Sequence, residues 1–177
     1  AILIEEAHAR NLELEAWINP YRVQLTENLP SQLADTNPAL LHPDWVQQAN
    51  GGLYYNPGPP EVRQLVVDGV KEIVANYDVD GIHFDDYFYP TTEASFDADT
   101  YAQYGQGMEL ADWRRDNVNQ LVQQVYQAVK ETDPAVRFGI SPQGNNANNY
   151  DQQYSDVALW MSQPGYVDYV MPQLYWG

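Results

Sequence analysis

The residues best suited to chemistry are two adjacent carboxylates, Asp85 and Asp86, within the segment from Gly81 to Tyr87. Adjacent carboxylates raise each other's proton affinity, so such a pair can supply one group that holds a proton and one that does not. That combination suits acid and base catalysis. The alternative is that both side chains bond to the backbone amides of a turn, as aspartate commonly does.

His83 precedes Asp85 by two residues, and on a strand the two side chains would point to the same side of the sheet. There His83 could orient a carboxylate or bind a substrate hydroxyl, although a lone histidine on a strand is also typical of a satisfied interior group. A metal site built from His83, Asp85 and Asp86 would need a further ligand, and His8 and His42 fall in a helix and a long loop. The sequence therefore predicts no metal and no cofactor.

Aromatic residues form a second pattern, because six of them fall at or just beyond the end of a predicted strand: Trp17, Tyr21, Tyr87, Tyr89, Tyr175 and Trp176. Aromatic rings stack on the apolar faces of pyranose rings while polar neighbours bind the hydroxyls. This pattern favours a groove for sugars. Aromatic residues are also common in strands and at domain rims, which leaves an ordinary structural role open.

The composition narrows the range of partners. Twenty-five acidic residues against eight basic ones give a formal net charge of −17, which repels nucleic acid and anionic membrane surfaces. The chain has no cysteine, so disulfides, a thiol nucleophile and cysteine-ligated zinc are excluded. No apolar run approaches the roughly 20 residues that span a bilayer, and neither a Gly-x-Ser-x-Gly elbow nor a phosphate-binding P-loop is present. A neutral substrate such as a glycan fits this charge balance.

Apolar periodicity predicts the elements that position these residues. It indicates helices over residues 2–10, 59–76, 110–133 and 151–161, and strands over 12–19, 79–85, 136–141 and 166–174. The proline-rich stretch 20–60 and the stretch 90–109 show no sustained period and are predicted to be long loops, the first with one or two short turns. In the strand 79–85, apolar Ile82 and Phe84 belong against helices, so His83 and Asp85 should face the opposite way.

Helices and strands that alternate along the chain predict an α/β fold with a parallel sheet. No glycine-rich phosphate turn follows a strand, and polar and aromatic residues collect at the C-terminal strand ends, so a closed (β/α)₈ TIM barrel is favoured over an open sheet. Only four of eight strands can be counted. The chain is therefore predicted to be one domain, residues 1–177, that forms the central part of a barrel and exposes two sheet edges that an oligomer could cover.

Five segments, in order, carry a resemblance to a known family: Ala16-Trp-Ile-Asn-Pro-Tyr-Arg22, Asp80-Gly-Ile-His-Phe-Asp-Asp-Tyr-Phe-Tyr-Pro90, Asp112-Trp-Arg-Arg-Asp-Asn-Val118, Phe138-Gly-Ile-Ser-Pro142 and Met171-Pro-Gln-Leu-Tyr-Trp176. The chain resembles the glycosyl-hydrolase-like family ten, bacterial barrel proteins that include peptidoglycan glycan-strand hydrolases. The resemblance implies strands three to six of a (β/α)₈ barrel and hydrolysis of glycosidic bonds in cell-wall peptidoglycan. It also implies a location outside the cell or in its envelope, such as the periplasm.

The resemblance implies residue roles as well. Asp85 corresponds to the family's fourth-strand carboxylate, as nucleophile or as stabiliser of an oxocarbenium-like transition state, and Asp86 corresponds to its paired aspartate and candidate acid or base. Loop carboxylates that could supply the acid instead are Glu93, Asp97 and Glu109. The expected substrate-binding residues are Trp17, Asn19, Arg22, His83, Tyr87, Ser141, Gln173, Tyr175 and Trp176.

The remaining expectations concern two residues of the predicted helix 110–133 and two alternatives to glycoside hydrolysis. Arg115 and Asn117 are expected in an internal salt bridge and a cap rather than in the cavity. A non-catalytic glycan-binding module that keeps the aromatic groove is one alternative function. A metal-dependent deacetylase or amidase is the other, and it would be inactivated by a chelator.

Overall fold

The computed structural model describes residues 2–30 and 33–175 of the chain. The α-helices are α1 (Ile2–His8), α2 (Pro38–Leu41), α3 (Pro60–Asn76), α4 (Ala98–Tyr104), α5 (Leu110–Thr132), α6 (Asn146–Gln152) and α7 (Val157–Ser162). The strands are β1 (Glu15–Ile18), β2 (Arg22–Gln24), β3 (Val46–Ala49), β4 (Gly52–Tyr55), β5 (Gly81–Phe84), β6 (Arg137–Ile140) and β7 (Tyr169–Val170). Short 3₁₀ helices cover Pro43–Trp45 and Ala94–Phe96. None of the described helices is long and apolar enough to cross a membrane.

The central element is a four-stranded sheet in the order β1-β5-β6-β7, and every pair in it is parallel. Helix α3 lies between β1 and β5 along the chain, α5 between β5 and β6, and α6 and α7 between β6 and β7. This is the alternating α/β arrangement that the sequence predicts. Within the described residues, β1 and β7 form the two edges of this sheet.

One face of the parallel sheet is apolar and is covered by α3 and α5. Helix α3 contributes a row at four-residue spacing and α5 a similar stripe, and these buried residues are Val62, Val66, Val70, Val74, Val118, Leu121, Val122, Val125 and Val129. They pack with Ile82, Phe84, Phe138 and Ile140 from the strands. Each such side chain contributes about 1.5–3 kcal/mol when fully buried, so this layer drives the fold.

The opposite face of the sheet is polar and is crossed by one hydrogen-bonded network. The side chain of Glu15 on β1 lies over Gly81. Its carboxylate accepts hydrogen bonds from Arg137 at 3.2 Å and from the hydroxyl of Tyr169 at 2.5 Å. Because that hydroxyl donates to Glu15, it accepts from Nδ1 of His83 at 3.0 Å. Burial lowers the pKa of His83, against the opposing effect of nearby Glu15 and Asp85. His83 is thus a satisfied interior group, as one of the two sequence interpretations has it.

The stretch 20–60 is more structured than predicted. Strands β2, β3 and β4 form an antiparallel sheet in the order β2-β4-β3, and α2 lies within the same excursion. Asn50 and Gly51, both with positive φ, make the turn between β3 and β4. An Asn-Gly pair is a strong signal for a two-residue hairpin, but strands of three or four residues are too short to show a period. The prediction of a loop with short turns was therefore wrong.

Three further predictions were wrong in part. The stretch 90–109, predicted to be a long loop, contains the 3₁₀ helix Ala94–Phe96 and α4, which are too short to show a period in the sequence. The helix predicted over 151–161 is broken into α6 and α7, with Tyr154 in the left-handed region at φ 56° between them. The strand predicted over 166–174 keeps only the two residues of β7, followed by an isolated bridge between Gln143 and Gln173. Asn11, just after α1, has a left-handed backbone at φ 54°, a conformation in which asparagine can end a helix.

Gly139 on β6 provides a test of the polar face. An added Cβ would lie 2.1 Å from the ring of Tyr169, whereas one at Gly69 on α3 would meet nothing within 4 Å. We expect Gly139→Ala to destabilise the protein by about 1–3 kcal/mol because the ring must move. Gly69→Ala should instead stabilise it by about 0.5–1 kcal/mol, since alanine loses less backbone entropy in a helix. Denaturant unfolding measures both, and a Gly139→Ala variant as stable as the parent would contradict this packing.

Candidate active site

Asp85 lies at the C-terminal rim of the parallel sheet, on its polar face. Ile18, Phe84 and Ile140 are paired across β1, β5 and β6. The residues that follow them, Asn19, Asp85 and Ser141, therefore form the next row, and alternation turns them away from the helices. Asp85 is 6% exposed. The sequence-based orientation of Asp85 agrees with this arrangement.

Three donors hold the carboxylate of Asp85. Its Oδ2 accepts from Nδ2 of Asn19 at 3.1 Å and from Nε1 of Trp17 at 3.4 Å. Its Oδ1 accepts from the backbone amide of Tyr87 at 3.1 Å. Burial raises the pKa of Asp85 and the charge of Asp86 acts in the same direction, while the three hydrogen bonds oppose them. The result is a fixed carboxylate whose pKa is raised from the ordinary value of an aspartate.

Asp86 is also buried, but its contacts lie on the other side. Its Oδ1 accepts from Nε2 of Gln173 at 3.0 Å, and its Oδ2 accepts from Nε2 of Gln153 at 3.1 Å. Gln173 also donates to the carbonyl of Ser141 at 2.8 Å and accepts from the hydroxyl of Tyr175. The two aspartates are thus adjacent in sequence but are held by different segments.

A cleft of about 530 Å³ opens beside Asp86, and its lining residues are Asp86, Tyr87, Gln143, Gly144, Asn145, Gln173, Leu174 and Tyr175. Exposed rings border the site: Trp17 is 66% exposed and Tyr175 is 85% exposed, and Tyr87 is half-exposed. The guanidinium of Arg22 lies 5.6 Å from the centre of the Tyr87 ring, and its backbone amide donates to Asn19. Carboxylates, amides and exposed aromatic rings therefore occur together at one rim.

The other residues singled out from the sequence divide into two groups. Ser141 is buried at the rim, where its carbonyl accepts from Gln173, and Trp176 lies outside the described residues. Tyr21 and Tyr89, grouped with the groove aromatics, are instead buried in the core. Glu93 and Glu109 are exposed loop residues.

Arg115 and Asn117 lie away from the cleft, as expected. Arg115 pairs with Asp112 at 2.6 Å and lies over the ring of Tyr150. Asn117 is buried inside α5 and accepts from Arg63 at 3.1 Å, so it is an interior residue rather than a cap. The described residues contain no group of three or more His, Cys, Asp or Glu side chains that could hold a metal ion.

Sequence reasoning missed a buried cation that organises the loops around the site. Arg114 on α5 forms two bonds to the carboxylate of Asp97, at 2.9 and 2.5 Å, and neither side chain is exposed. It also donates to the hydroxyl of Tyr154 at 2.9 Å and to the carbonyl of Glu93 at 2.8 Å. Asp97 is therefore engaged in this ion pair and is not available as a catalytic acid. Gln153, next to Tyr154, was missed as well, because nothing in its sequence context marks it.

Comparison with known proteins assigns the chain. The sequence model of the family described as glycosyl hydrolase-like 10 matches residues 1–177. The chain belongs to the glycosyl hydrolase-like 10 family. This confirms the resemblance seen in the five sequence segments.

Among the relatives of this glycosyl hydrolase-like 10 chain is the glycosyl hydrolase YngK of Bacillus subtilis (strain 168), which is 45% identical over 196 residues. That match covers 99% of this chain and 38% of the relative. The glycosyl hydrolase DigH of Escherichia coli (strain K12) is 36% identical over 200 residues, covering 98% of this chain and 45% of the relative. The chain thus spans less than half the length of these two relatives.

Solved structures give the fold. The galactosidase domain of the alpha-galactosidase-sucrose kinase AgaSK matches with a TM-score of 0.56 at 16% identity, over 96% of this chain and 20% of that one. Alpha-L-fucosidase isoenzyme 2 from Paenibacillus thiaminolyticus matches with a TM-score of 0.53 at 17% identity, over 78% of this chain and 22% of that one. The fold of the glycosyl hydrolase-like 10 chain is therefore part of a (β/α)₈ barrel, as predicted.

The Arg114–Asp97 pair provides a test of how the site is held. We expect Arg114→Met to lower the free energy of unfolding by about 3–5 kcal/mol, because it leaves Asp97 buried without a partner. Replacing both residues, as Arg114→Met with Asp97→Leu, should cost less than the single change. Arg10→Met, which removes an exposed pair with Glu6, is the matched control and should cost about 0–1 kcal/mol. Denaturant unfolding separates these cases, and equal costs for Arg114→Met and Arg10→Met would contradict the role of the buried pair.

Proposed function

We propose that this chain contributes a catalytic carboxylate and a substrate groove to a glycoside hydrolase that cleaves the glycan of cell-wall peptidoglycan. The observation that carries the proposal is the placement of Asp85, buried and fixed by three donors at the C-terminal rim of the sheet. In (β/α)₈ barrels, active sites lie at this rim. The glycosyl hydrolase-like 10 family and the glycosyl hydrolase names of its relatives support the same class of reaction.

Asp85 suits the carboxylate that faces the anomeric carbon. Asn19, Trp17 and the Tyr87 amide bond to the ionised form and fix both of its oxygens. A nucleophile, or a group that stabilises an oxocarbenium-like transition state, needs such fixed geometry, because reorganisation during the reaction would raise the barrier. An acid or base then acts on the glycosidic oxygen from a second carboxyl group.

The groove suits a neutral or weakly charged glycan. The exposed rings of Trp17, Tyr87 and Tyr175 offer apolar faces for pyranose stacking, and the side-chain amide of Asn145, which lines the cleft, offers a partner for hydroxyls. The formal net charge of −17 disfavours nucleic acid and anionic lipid as partners. Because peptidoglycan lies outside the cytoplasmic membrane, the proposal includes a location in the cell envelope or outside the cell.

Release of reducing ends from peptidoglycan, chitin and cellulose tests this function. We expect the intact protein to release them from peptidoglycan, and Asp85→Asn to reduce the rate at least about 100-fold, because the transition state loses its carboxylate. Asp99→Asn, a change of the same type at an exposed residue of α4, is the control and should retain the rate.

Other outcomes would support one of the alternative functions or exclude Asp85 from catalysis. Binding of peptidoglycan without any cleavage by the unmutated protein would support a glycan-binding module. Activity that a chelator abolishes, with release of acetate or amine in place of reducing ends, would support a metal-dependent deacetylase or amidase. An Asp85→Asn variant with the parental rate would remove Asp85 from the mechanism.

The raised pKa of Asp85 predicts the pH dependence. Asn19→Leu removes a donor to the ionised form, so the pKa rises further and the acidic limb moves to higher pH. Asn76→Leu at the exposed end of α3 should leave the limb in place. A pH–rate profile for the three proteins checks this, and an unmoved limb in Asn19→Leu would exclude Asp85 as the titrating group.

A further inference from the structure

We propose that Asp86 and Gln153 are positioning residues, and that Asp86, held by Gln153, fixes Gln173 and through it the ring of Tyr175 at the edge of the cleft. The expected effect on substrate binding rests on the proposed function, whereas the contacts between these side chains do not. It gives Asp86 a role other than the acid or base suggested by its place beside Asp85. It also adds Gln153 to the site.

The contacts of Asp86 are those of a carboxylate that is held in place by the protein. Its two oxygens each accept from a primary amide, at 3.0 Å from Gln173 and 3.1 Å from Gln153. An amide N–H₂ group donates and does not accept, so Asp86 is the acceptor in both contacts. Asp86 is 7% exposed. A general acid must present its proton to the leaving oxygen, whereas each oxygen of Asp86 is held by a side-chain amide.

The orientation of Gln173 is determined by three partners. Both hydrogens of its amide nitrogen are used, one on Asp86 at 3.0 Å and one on the carbonyl of Ser141 at 2.8 Å. Its oxygen accepts from the hydroxyl of Tyr175. A flipped amide would set an oxygen against the carboxylate of Asp86 and against a carbonyl, so this orientation is strongly favoured. The charge on Asp86 thus determines which atom of Gln173 faces Tyr175.

Gln153 supports Asp86 from outside the cleft. It is 8% exposed and does not line the cleft, whereas Asp86, Gln173 and Tyr175 all do. The next residue, Tyr154, has a left-handed backbone, and its hydroxyl accepts from Arg114 at 2.9 Å. The backbone at this point therefore directs Gln153 to Asp86 and Tyr154 to the buried arginine. Arg114 anchors the segment that presents Gln153.

The functional consequence concerns Tyr175. Its side chain is 85% exposed and would sample several rotamers without the bond to Gln173. Binding a sugar on a freely rotating ring costs the entropy of fixing that ring, and a ring held in advance avoids the cost. The contacts therefore act on substrate affinity rather than on the chemical step.

Steady-state kinetics of the intact protein on peptidoglycan glycan strands tests the inference. Asp86→Asn and Gln153→Leu should each raise KM about 2- to 10-fold, as expected for the loss of one immobilised side chain. Both should keep kcat within about 3-fold, a smaller change than the loss of a general acid gives. Gln153→Leu should leave both limbs of the pH profile in place. Asp86→Asn should keep both limbs but move the acidic one to lower pH, because the charge of Asp86 raises the pKa of Asp85. Gln152→Leu, the exposed neighbour on α6, is the matched control and should match the parent. A kcat reduced about 100-fold in Asp86→Asn, with one limb lost, would show instead that Asp86 transfers a proton.

A double-mutant cycle tests the path through Tyr175. Tyr175→Phe keeps the ring and removes the hydroxyl that bonds Gln173. If Asp86 acts through this bond, adding Asp86→Asn to Tyr175→Phe should raise KM little further. If the two substitutions together raise KM by the product of their separate factors, Asp86 does not act through the bond between Gln173 and Tyr175.

A measurement without substrate separates this inference from the proposed function. Asp86→Asn and Gln153→Leu each lower the denaturant midpoint of unfolding. Because both variants remove the same contact, the sum of their two shifts should exceed the shift of the double variant. If the protein cleaves no glycan, the proposed function is wrong. The unfolding measurements still show whether Asp86 and Gln153 are in contact. Additive shifts would overturn the contact even in an active enzyme.

Discussion

The buried pair between Arg114 and Asp97 is the interaction on which the arrangement of the site depends. Removing two charges from water is costly, and the pair is stable only because the guanidinium finds several partners at good distances. Arg114 forms two bonds to Asp97, one to Tyr154 and one to the backbone of Glu93, and lies against the rings of Tyr89 and Tyr154. It therefore joins α5 to the excursion after β5 and to the segment between α6 and α7. These are the loops at the C-terminal rim, which a barrel normally uses for its chemistry.

The division of the parallel sheet into an apolar and a polar face explains why the rim can carry carboxylates. Valine-rich α3 and α5 bury one face, so the alternate residues of each strand are left for the other. There, glycines at 81 and 139 leave room for the side chains of Glu15 and Tyr169 to cross neighbouring strands. In many barrels branched aliphatic residues fill these layers. Here an ionic network fills them and ends at His83, one row below Asp85.

Sequence reasoning succeeded where one physical signal dominated. The valine rows of α3 and α5 and the apolar run of β5 are strong patterns, and the parity of β5 alone gives the direction of Asp85. It failed where structure depends on tertiary contacts. The strands of the small sheet are three or four residues long, and Tyr154 adopts a left-handed backbone without being glycine or asparagine. Gln153 owes its place beside Asp86 to that turn, so no local pattern could have identified it.

Adjacency in sequence also proved a weak guide to a shared site. The side-chain donors to Asp85 come from β1 and from the residue after Ile18, whereas those to Asp86 come from the segments after β6 and β7. Strand alternation alone separates two consecutive side chains, and the loops then fix each in a different environment. A glycoside hydrolase needs two carboxyl groups that face one glycosidic bond, separated by about 5–5.5 Å for retention and about 6.5–9.5 Å for inversion. In the proposed reaction, the partner of Asp85 is a carboxyl group with an oxygen that reaches the leaving group, and the amide donors on both oxygens of Asp86 favour another residue for that role.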